Sequence, residues 1–535
     1  MRTTTPSTAR GATSRFLDQF GSQVTGVLHG FDRLRFRATL RMLFDPRRFD
    51  LYLGCCGVLL KHFGAFAEKL TERVRAAAYA QFEALGRPCR YLGGGDISKE
   101  ELARQMARED GIKEGPVALF ACVEPCLSYR VRGDRQSRQI RLALEQRKCT
   151  HLYHYQMHPQ FGLLHVRVQT WFPFTIDLCL NGREWLARQM DEISLAYRQR
   201  DNCFVWVEDP PRAQALLEAQ RRGDWVARLQ PLLEVAHPLH AEICAPMAGL
   251  RYYWSASQSE YATDVLFDRP ESLARLYPRF LHHAVHSFSS PDVLRFLGRR
   301  VEEKTGAVPA RFAGEVTTSL KTRPEGVRVR HTLNGNSLKI YDKEGSVLRV
   351  ETTIVHPEEF KVWRPKEGDE EGEKSWRKLR RGVADLWRRG EVSAAANERY
   401  LEALASVSGS KALAEEAAAV CRPVRIHGRR YRALNPLNAD DGALLEALSR
   451  GEFVLQGLRN RDLCALLHQK SSCRQTQRRR AAAMTRKLAL LRAHGLIKKV
   501  PRTHRYQITA NGRRILTALL AARHANVEQL TKMAA

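Results

Sequence analysis

The chain has 535 residues, 44% of them hydrophobic, with a formal net charge of +29 and a pI near 10.0. That length predicts about three domains with real cores and excludes global disorder, while the charge points to a polyanionic partner, nucleic acid before an anionic membrane. No run of about 18 apolar residues is present, which argues against a membrane partner, and the 12 scattered cysteines read as reduced thiols of a cytoplasmic, nucleoid-associated protein.

Residues 1–150 read as an N-terminal α/β region. A strand is predicted around Asp32, followed by a helical pattern from Asp50 to Leu85. "DISKEELARQMARED" opens a helix with Ser98 and Glu101 at capping-box spacing. "GPVALFACVEPCLSYRVR" reads as a buried strand. Residues 151–310 form a second α/β region with a helical half. "LLHVRVQTW" and "FTIDLCL" suit paired strands bent at Pro173, and Asn181-Gly182 marks a turn or helix entry. Helical patterns then dominate, interrupted by "RYYWSASQSEYATDVLF".

Residues 311–364 are predicted to be an antiparallel β-meander packing on the preceding region, with strands at about 327–333, 336–342 and 346–354. Asn334-Gly335 suits a type I′ turn, and "DKEG" suits a three-residue loop with Gly345 in the left-handed region. Side chains alternate between faces. Val329, Leu338, Ile340, Leu348 and Val350 therefore share a core face, and Arg328, Arg330, Lys339, Tyr341, Arg349 and Glu351 share the other. The expected pairing sets Arg330, Lys339 and Arg349 side by side, with Tyr341 and Glu351 in adjacent rows. Like charges placed opposite each other are destabilising, so such a row calls for an anion.

Residues 365–420 read as a charged loop and a helical linker. Residues 421–535 read as a separate module: from Arg422 to Arg514, 22 Lys+Arg stand against 5 Asp+Glu, a difference of +17 out of the chain's +29. Such a concentration is the footprint of a phosphate-binding surface. "DGALLEALSR", "NRDLCALLH" (with Asn460 as its cap) and "QTQRRRAAAMTRKLALLRAHGLI" predict three helices. Gly495 predicts the end of the third, "IKKVPRTHRYQIT" a hairpin, and "NGRRILTALLAAR" a final helix. This order, with "LRAHGLI" and "RYQITANGRR" at its corners, resembles a winged helix-turn-helix domain. The resemblance implies that Arg478, Arg479, Arg480, Arg486 and Lys487 meet DNA from the third helix, and Arg502, His504 and Arg505 from the wing.

"KIYDKEGSVLRVE" resembles the "YDK … LR-E" hairpin of rolling-circle replication initiators of plasmids and filamentous phages. In those enzymes a Tyr attacks a phosphodiester with help from a divalent metal. The resemblance makes Tyr341 the nucleophile, Arg330, Lys339 and Arg349 the stabilisers of phosphate charge, and Glu351 a metal ligand or base. The family's His-hydrophobic-His pair is missing: "HPLH" and "HHAVH" have other spacings. Carboxylates that could complete a metal site are Asp32, Glu124, Glu260, Asp264 and Glu315, with Glu260 and Asp264 on one face if helical. The metal set is read as Glu351, Asp32 and Glu124 around Mg²⁺ or Mn²⁺, and Asp32 joins Tyr341, Lys339 and Glu351 as catalytic. His151, His154, His158 and His165 suit either a base-stacking surface or the polar face of a sheet.

The expectation is a mixed α/β (α+β) protein with a C-terminal winged-helix domain, acting as a DNA-processing protein of a mobile element. The alternatives are a non-catalytic winged-helix regulator or architectural binder, and an RNA-binding component of a ribonucleoprotein.

Overall fold

The computed structural model describes residues 14–93, 97–134, 139–299, 314–323, 326–366, 368–369, 371–406, 417–418, 420–426, 428–450, 453, 457–469, 472–501 and 503–525. The chain forms two compact units, one of Gly21–Ala274 with Lys321–Glu398, the other of Met1–Phe20, Arg275–Leu320 and Arg399–Ala535.

In the first unit, alternation along the chain builds a sheet. Its strands are Val24–Thr39 (β1), Cys89–Tyr91 (β2), Gly115–Asp134 (β3), Gln139–His158 (β4), Gly162–Gln169 (β5) and Ile176–Asn181 (β6). Tyr197–Arg200 (β7) and Cys203–Val207 (β8) make a separate hairpin. Tyr253–Phe267 (β9) returns to the sheet, which Val316–Arg323 (β10, within this unit from Lys321 onward), Gly326–Leu333 (β11), Asn336–Lys343 (β12) and Val347–Ile354 (β13) extend. Lys361–Arg364 (β14) and Ser375–Lys378 (β15) form a second small hairpin. The sheet runs β10-β11-β12-β13-β9-β1-β6-β5-β4-β3-β2. Its ladders from β11 to β3 are antiparallel, and β2 joins β3 in parallel.

The centre of this sheet corrects one expectation. "RYYWSASQSEYATDVLF" contains β9, a 15-residue strand between β13 and β1. Its second half, from Tyr261 to Phe267, is buried on both faces, which removes the polar alternation that would have marked it as a strand. Glu260 and Asp264 do share a face, through the two-residue period of a strand rather than the turn of a helix.

The pattern from Asp50 to Leu85 resolves into helices Pro46–Cys55 and Phe63–Ala84. The first stops before Gly57, whose φ of +69° suits a residue without a side chain. The second buries Ala67, Leu70, Val74, Ala78 and Phe82, a stripe at helical spacing. Phe172 centres the aromatic part of the core, 5.0 Å from Phe49 and 4.5 Å from Phe174 between ring centroids. Cutting it to Ala would cost about 3–5 kcal/mol. Ser98 caps helix Lys99–Glu109 by accepting from Glu101 N at 3.3 Å, and Asn181 caps helix Gly182–Glu192 by accepting from Arg183 N and Glu184 N.

In the second unit, helices Ala439–Leu448, Asn460–Leu467, Arg474–Ala493 and Ala510–His524 pack around Leu444, Leu463, Leu488, Leu491 and Ile515. Strands Leu458–Arg459, Arg505–Ile508 and Ile497–Lys499 form a three-stranded antiparallel sheet in that order. Gly495, at φ +70°, follows the end of the long helix. Asn460 is not the cap expected of it. Arg459 precedes the helix and donates its N–H to Asp462 at 2.8 Å, while Asn460 reaches Ala481 O and Thr485 Oγ1 at 2.9 Å each. The module's acid at the third helical position therefore does the capping. Among the described residues, no helix is long and apolar enough to cross a membrane.

Candidate metal centre on the sheet

The site begins with an irregularity in β1. Phe31 pairs with Tyr261 and Arg33 with Glu260, so Asp32 is an extra residue without a partner on β9. Such a bulge lets two consecutive side chains lean to one side. Asp32 is thereby aimed at the face that carries Glu260 and Glu351. Gly182 presses against the same bulge. A Cβ there would stand 2.1 Å from the carbonyl oxygen of Phe31, so only glycine allows the approach. Towards its N terminus β1 loses β6 as a neighbour, and Gln214 replaces it. His29 N donates to Gln214 Oε1 at 2.7 Å, and Gln214 Nε2 donates to His29 O at 3.1 Å.

Asp32, Glu260 and Glu351 come from three adjacent strands, β1, β9 and β13. Each offers a carboxylate oxygen, and these atoms lie within 4.8 Å of one another. Burial pushes the Asp32 carboxyl above its ordinary range, Arg349 pulls against this, and Glu351 adds to it. Burial likewise raises Glu260, with Glu351 adding and Lys339 opposing. Burial also acts to raise Glu351, but Lys339 outweighs it, with help from the Tyr341 hydroxyl and Arg349, so this carboxyl stays below its usual range. The trio thus holds one anion in firm partnership and two that are costly to ionise, a donor set suited to a hard divalent cation.

Beside the trio, on the same face of the sheet, lies a buried ion cluster. Arg349 donates to Asp264 from Nε at 2.5 Å and from Nη2 at 2.8 Å, gives Nη2 also to Asn202 O at 2.9 Å, and has Nη1 3.4 Å from Asp32. Arg183 meets the same Asp264 at 2.9 Å and donates to Ala262 O. Burial would raise Asp264, but the two arginines hold it below its usual value. Asn202 completes the cluster by donating to both oxygens of Asp32, at 2.9 and 3.1 Å. Lys339 Nζ lies 2.5 Å from Glu351 Oε1, and the Tyr341 hydroxyl donates to Glu351 Oε2 at 2.6 Å. Tyr341 is only 8% exposed, and burial lifts its phenol well above 10. A cavity of ≈ 130 Å³ opens nearby, lined among others by Arg33, His165, Tyr155 and Asn202.

The expected face of the meander is the observed one, but its rows differ. Lys339 stands between Arg330 and Glu351, while Tyr341 stands between Arg328 and Arg349. The three-cation row does not form, because the loop Glu344–Ser346 sets Lys343 opposite Val347 and fixes every later pair accordingly. Arg328 and Arg330 are half-buried, and Arg349 is wholly buried, engaged with carboxylates rather than solvent.

Asp32 and Glu351 meet, but the third carboxylate is Glu260, not Glu124. Glu124 is held elsewhere, by Lys99 at 3.1 Å, Arg167 at 2.9 Å and the Tyr153 hydroxyl. Those partners, against the opposing push of burial, bring its carboxyl down to about 2. His154 turns to the core beside Phe82. His165 lies against Tyr153 and Tyr155 on the opposite face of the sheet. Arg183, Asn202 and the pairing role of Asp264 were not anticipated. Their only sequence signals are an Arg at a helix start and an Asn in a tight turn, neither of which marks a site.

In the C-terminal module, Arg478, Arg479, Arg486 and His504 are exposed. Arg480 and Lys487 are half-buried, Arg480 donating to Gln469 O at 2.6 Å. Arg505 is half-buried as well, and Arg502 lies outside the described residues. Compared with protein-family models, with curated proteins and with solved structures, the chain matches none.

Proposed function

We propose that this protein binds nucleic acid and breaks or rejoins a phosphodiester at the Asp32–Glu260–Glu351 cluster with a divalent metal, Mg²⁺ or Mn²⁺. The observation that carries the reading is the meeting of three carboxylates from three strands beside a Tyr–Glu hydrogen bond and a lysine. A metal bound there would draw charge from the phosphate oxygens and ease attack at phosphorus. Glu351, held ionised, accepts the Tyr341 proton. The phenolate oxygen bonds to phosphorus, the strand's P–O bond breaks, and the departing oxygen takes its proton from water. Lys339 steadies the charge that develops. Because Tyr341 is buried, its attack requires the meander to open toward the substrate. This chemistry matches that of the rolling-circle initiators whose hairpin the sequence resembles, without their histidine pair.

We read the C-terminal module as a winged helix-turn-helix that delivers the nucleic acid. The order of helices and strands and the exposed Arg478, Arg479, Arg486 and His504 support this. DNA of a mobile element is the favoured substrate.

The test is cleavage of single-stranded and supercoiled DNA with Mn²⁺ or EDTA, beside Tyr341→Phe. Metal-dependent nicking with a protein–DNA adduct that the variant lacks supports the tyrosine route. Nicking that persists in the variant assigns the attack to water at the carboxylates. Salt-sensitive binding without cleavage of either substrate refutes the enzyme and leaves a regulator.

A further inference from the structure

The hairpin of β14 and β15 displays two tryptophans that its packing does not use. Trp363 stands directly opposite Trp376, and Lys361 directly opposite Lys378. With a two-residue period these four side chains share one face, and all four are exposed, the tryptophans at 55% and 60%. The other face is the anchored one. Val362 and Arg364 are buried, and Arg364 donates from Nη1 to Pro365 O and from Nη2 to Lys378 O, both at 3.0 Å. Leu379 N donates to Phe360 O at 2.9 Å, which continues the ladder into the body of the unit. The hairpin is therefore held from behind while its front carries the largest apolar side chains in the alphabet.

Two indole rings in water forgo much of the burial that could stabilise them. Two lysines set directly across a ladder repel. Both costs fall when the face meets a ligand with flat apolar faces and negative charge. The indoles meet at 5.6 Å between centroids and 67° between planes. In that edge-to-face arrangement a ring face remains open to a flat partner. Base stacking on exposed aromatics, with phosphates drawn to flanking cations, is how unpaired strands are held. A duplex offers its phosphates but keeps its bases stacked inside. The connecting loop, 365–374, bears Asp369, Glu371 and Glu373 alongside Lys366 and Lys374, so its tip repels phosphates and a bound strand lies across the two-lysine end.

We propose that the Lys361–Trp363–Trp376–Lys378 face is a docking site for single-stranded nucleic acid. This rests on the reading of the chain as a nucleic-acid-processing protein and adds the form of the strand it holds outside its metal site.

The test uses the full chain in EDTA, where cleavage cannot interfere. Fluorescence anisotropy tracks a labelled 16-nucleotide oligo-dT and, separately, a duplex of equal length. Trp363→Ala/Trp376→Ala should weaken oligo-dT binding about tenfold or more and leave duplex binding within about twofold. Trp363→Phe/Trp376→Phe, which keeps flat rings, should restore most of it. Lys361→Gln/Lys378→Gln should lower the salt slope for oligo-dT by about 1.4, at about 0.7 per phosphate. Unchanged oligo-dT binding by the Ala pair overturns the proposal while duplex binding keeps the wider reading intact. Equal losses in the Ala and Phe pairs also overturn it, because stacking would then not be the cause. If the unaltered chain binds neither probe, the wider reading falls with it.

Discussion

Glu260→Gln separates the demands of folding from those of metal binding. The carboxylate oxygens of Asp32, Glu260 and Glu351 lie within 4.8 Å of one another. At that separation and an effective dielectric constant near 20, two like charges repel by about 3.5 kcal/mol. Glutamine keeps the oxygen that accepts from Gln258 Nε2 at 2.8 Å and removes the charge. Lys339 loses a nearby anion in return, which offsets part of the gain. The net expectation is a metal-free protein more stable by about 1–3 kcal/mol at pH 8.

The pH dependence fixes the sign. Burial holds Asp32 and Glu260 above their ordinary values. A raised carboxyl contributes stability below the unfolded-state value near 4, and that contribution is lost as pH rises through the folded value. The advantage of the glutamine variant should therefore be small near pH 4.5 and largest at pH 8. Thermal melts in EDTA and in MnCl₂, at both pH values, measure this. The variant should melt a few degrees higher than the unaltered chain in EDTA at pH 8. Mn²⁺ should raise the melting temperature of the unaltered chain and much less that of the variant. A variant that melts lower in EDTA at pH 8, or responds equally to Mn²⁺, refutes the cluster as a cation site under electrostatic strain.

Asp264→Asn acts in the opposite direction. It strips the shared anion from the buried Arg183 and Arg349 and should cost about 3–5 kcal/mol in urea unfolding of the sheet unit. Because the arginines hold Asp264 below its ordinary value, its contribution is present above pH 4 and disappears only as pH falls through that lower value, so a difference between the two chains that vanishes already at pH 6 contradicts the pairing. Gly182→Ala drives a methyl group into the Phe31 carbonyl and should weaken Mn²⁺ binding at least as clearly as it lowers stability, both read from the same melts. Arg478→Gln/Arg479→Gln should reduce the slope of log K against log salt for duplex DNA by about 2, and a slope left as it was places the duplex elsewhere.

The site was legible where local rules govern it. Period-two alternation and two turns, Asn334-Gly335 and Glu344-Gly345, were enough to place Lys339, Tyr341 and Glu351 on one face. Asp32 in a strand and Ser98 and Asn181 as helix caps arise from equally local chemistry. The partnership of Asp32 with Glu260 depends on β1 lying beside β9, more than 200 positions away, and nothing in either segment announces it. The second half of β9 shows no strand pattern because burial on both faces erases alternation there. Glu124 shows the converse. It has the type of a ligand, and a lysine, an arginine and a tyrosine already satisfy it.

The extra residue in β1 also sets the phase of the strand's C-terminal half. Before it, Phe31 points to the core and Gly30 to the face of the carboxylates; after it, Leu34, Phe36 and Ala38 point to the core and Arg33, Arg35 and Arg37 stand exposed on the other side. In an unbroken strand, Arg33, Arg35 and Arg37 would share the core side with Phe31. One inserted position thus lets a single strand supply both a carboxylate to the Asp32–Glu260–Glu351 cluster and a file of three cations leading away from it. The two functions are locked to each other by parity. Pairing Asp32 into the ladder as an ordinary strand residue would turn the whole arginine file inward, whereas deleting it would keep the file outward and remove the carboxylate, so the bulge itself, not the length of the strand, joins the two.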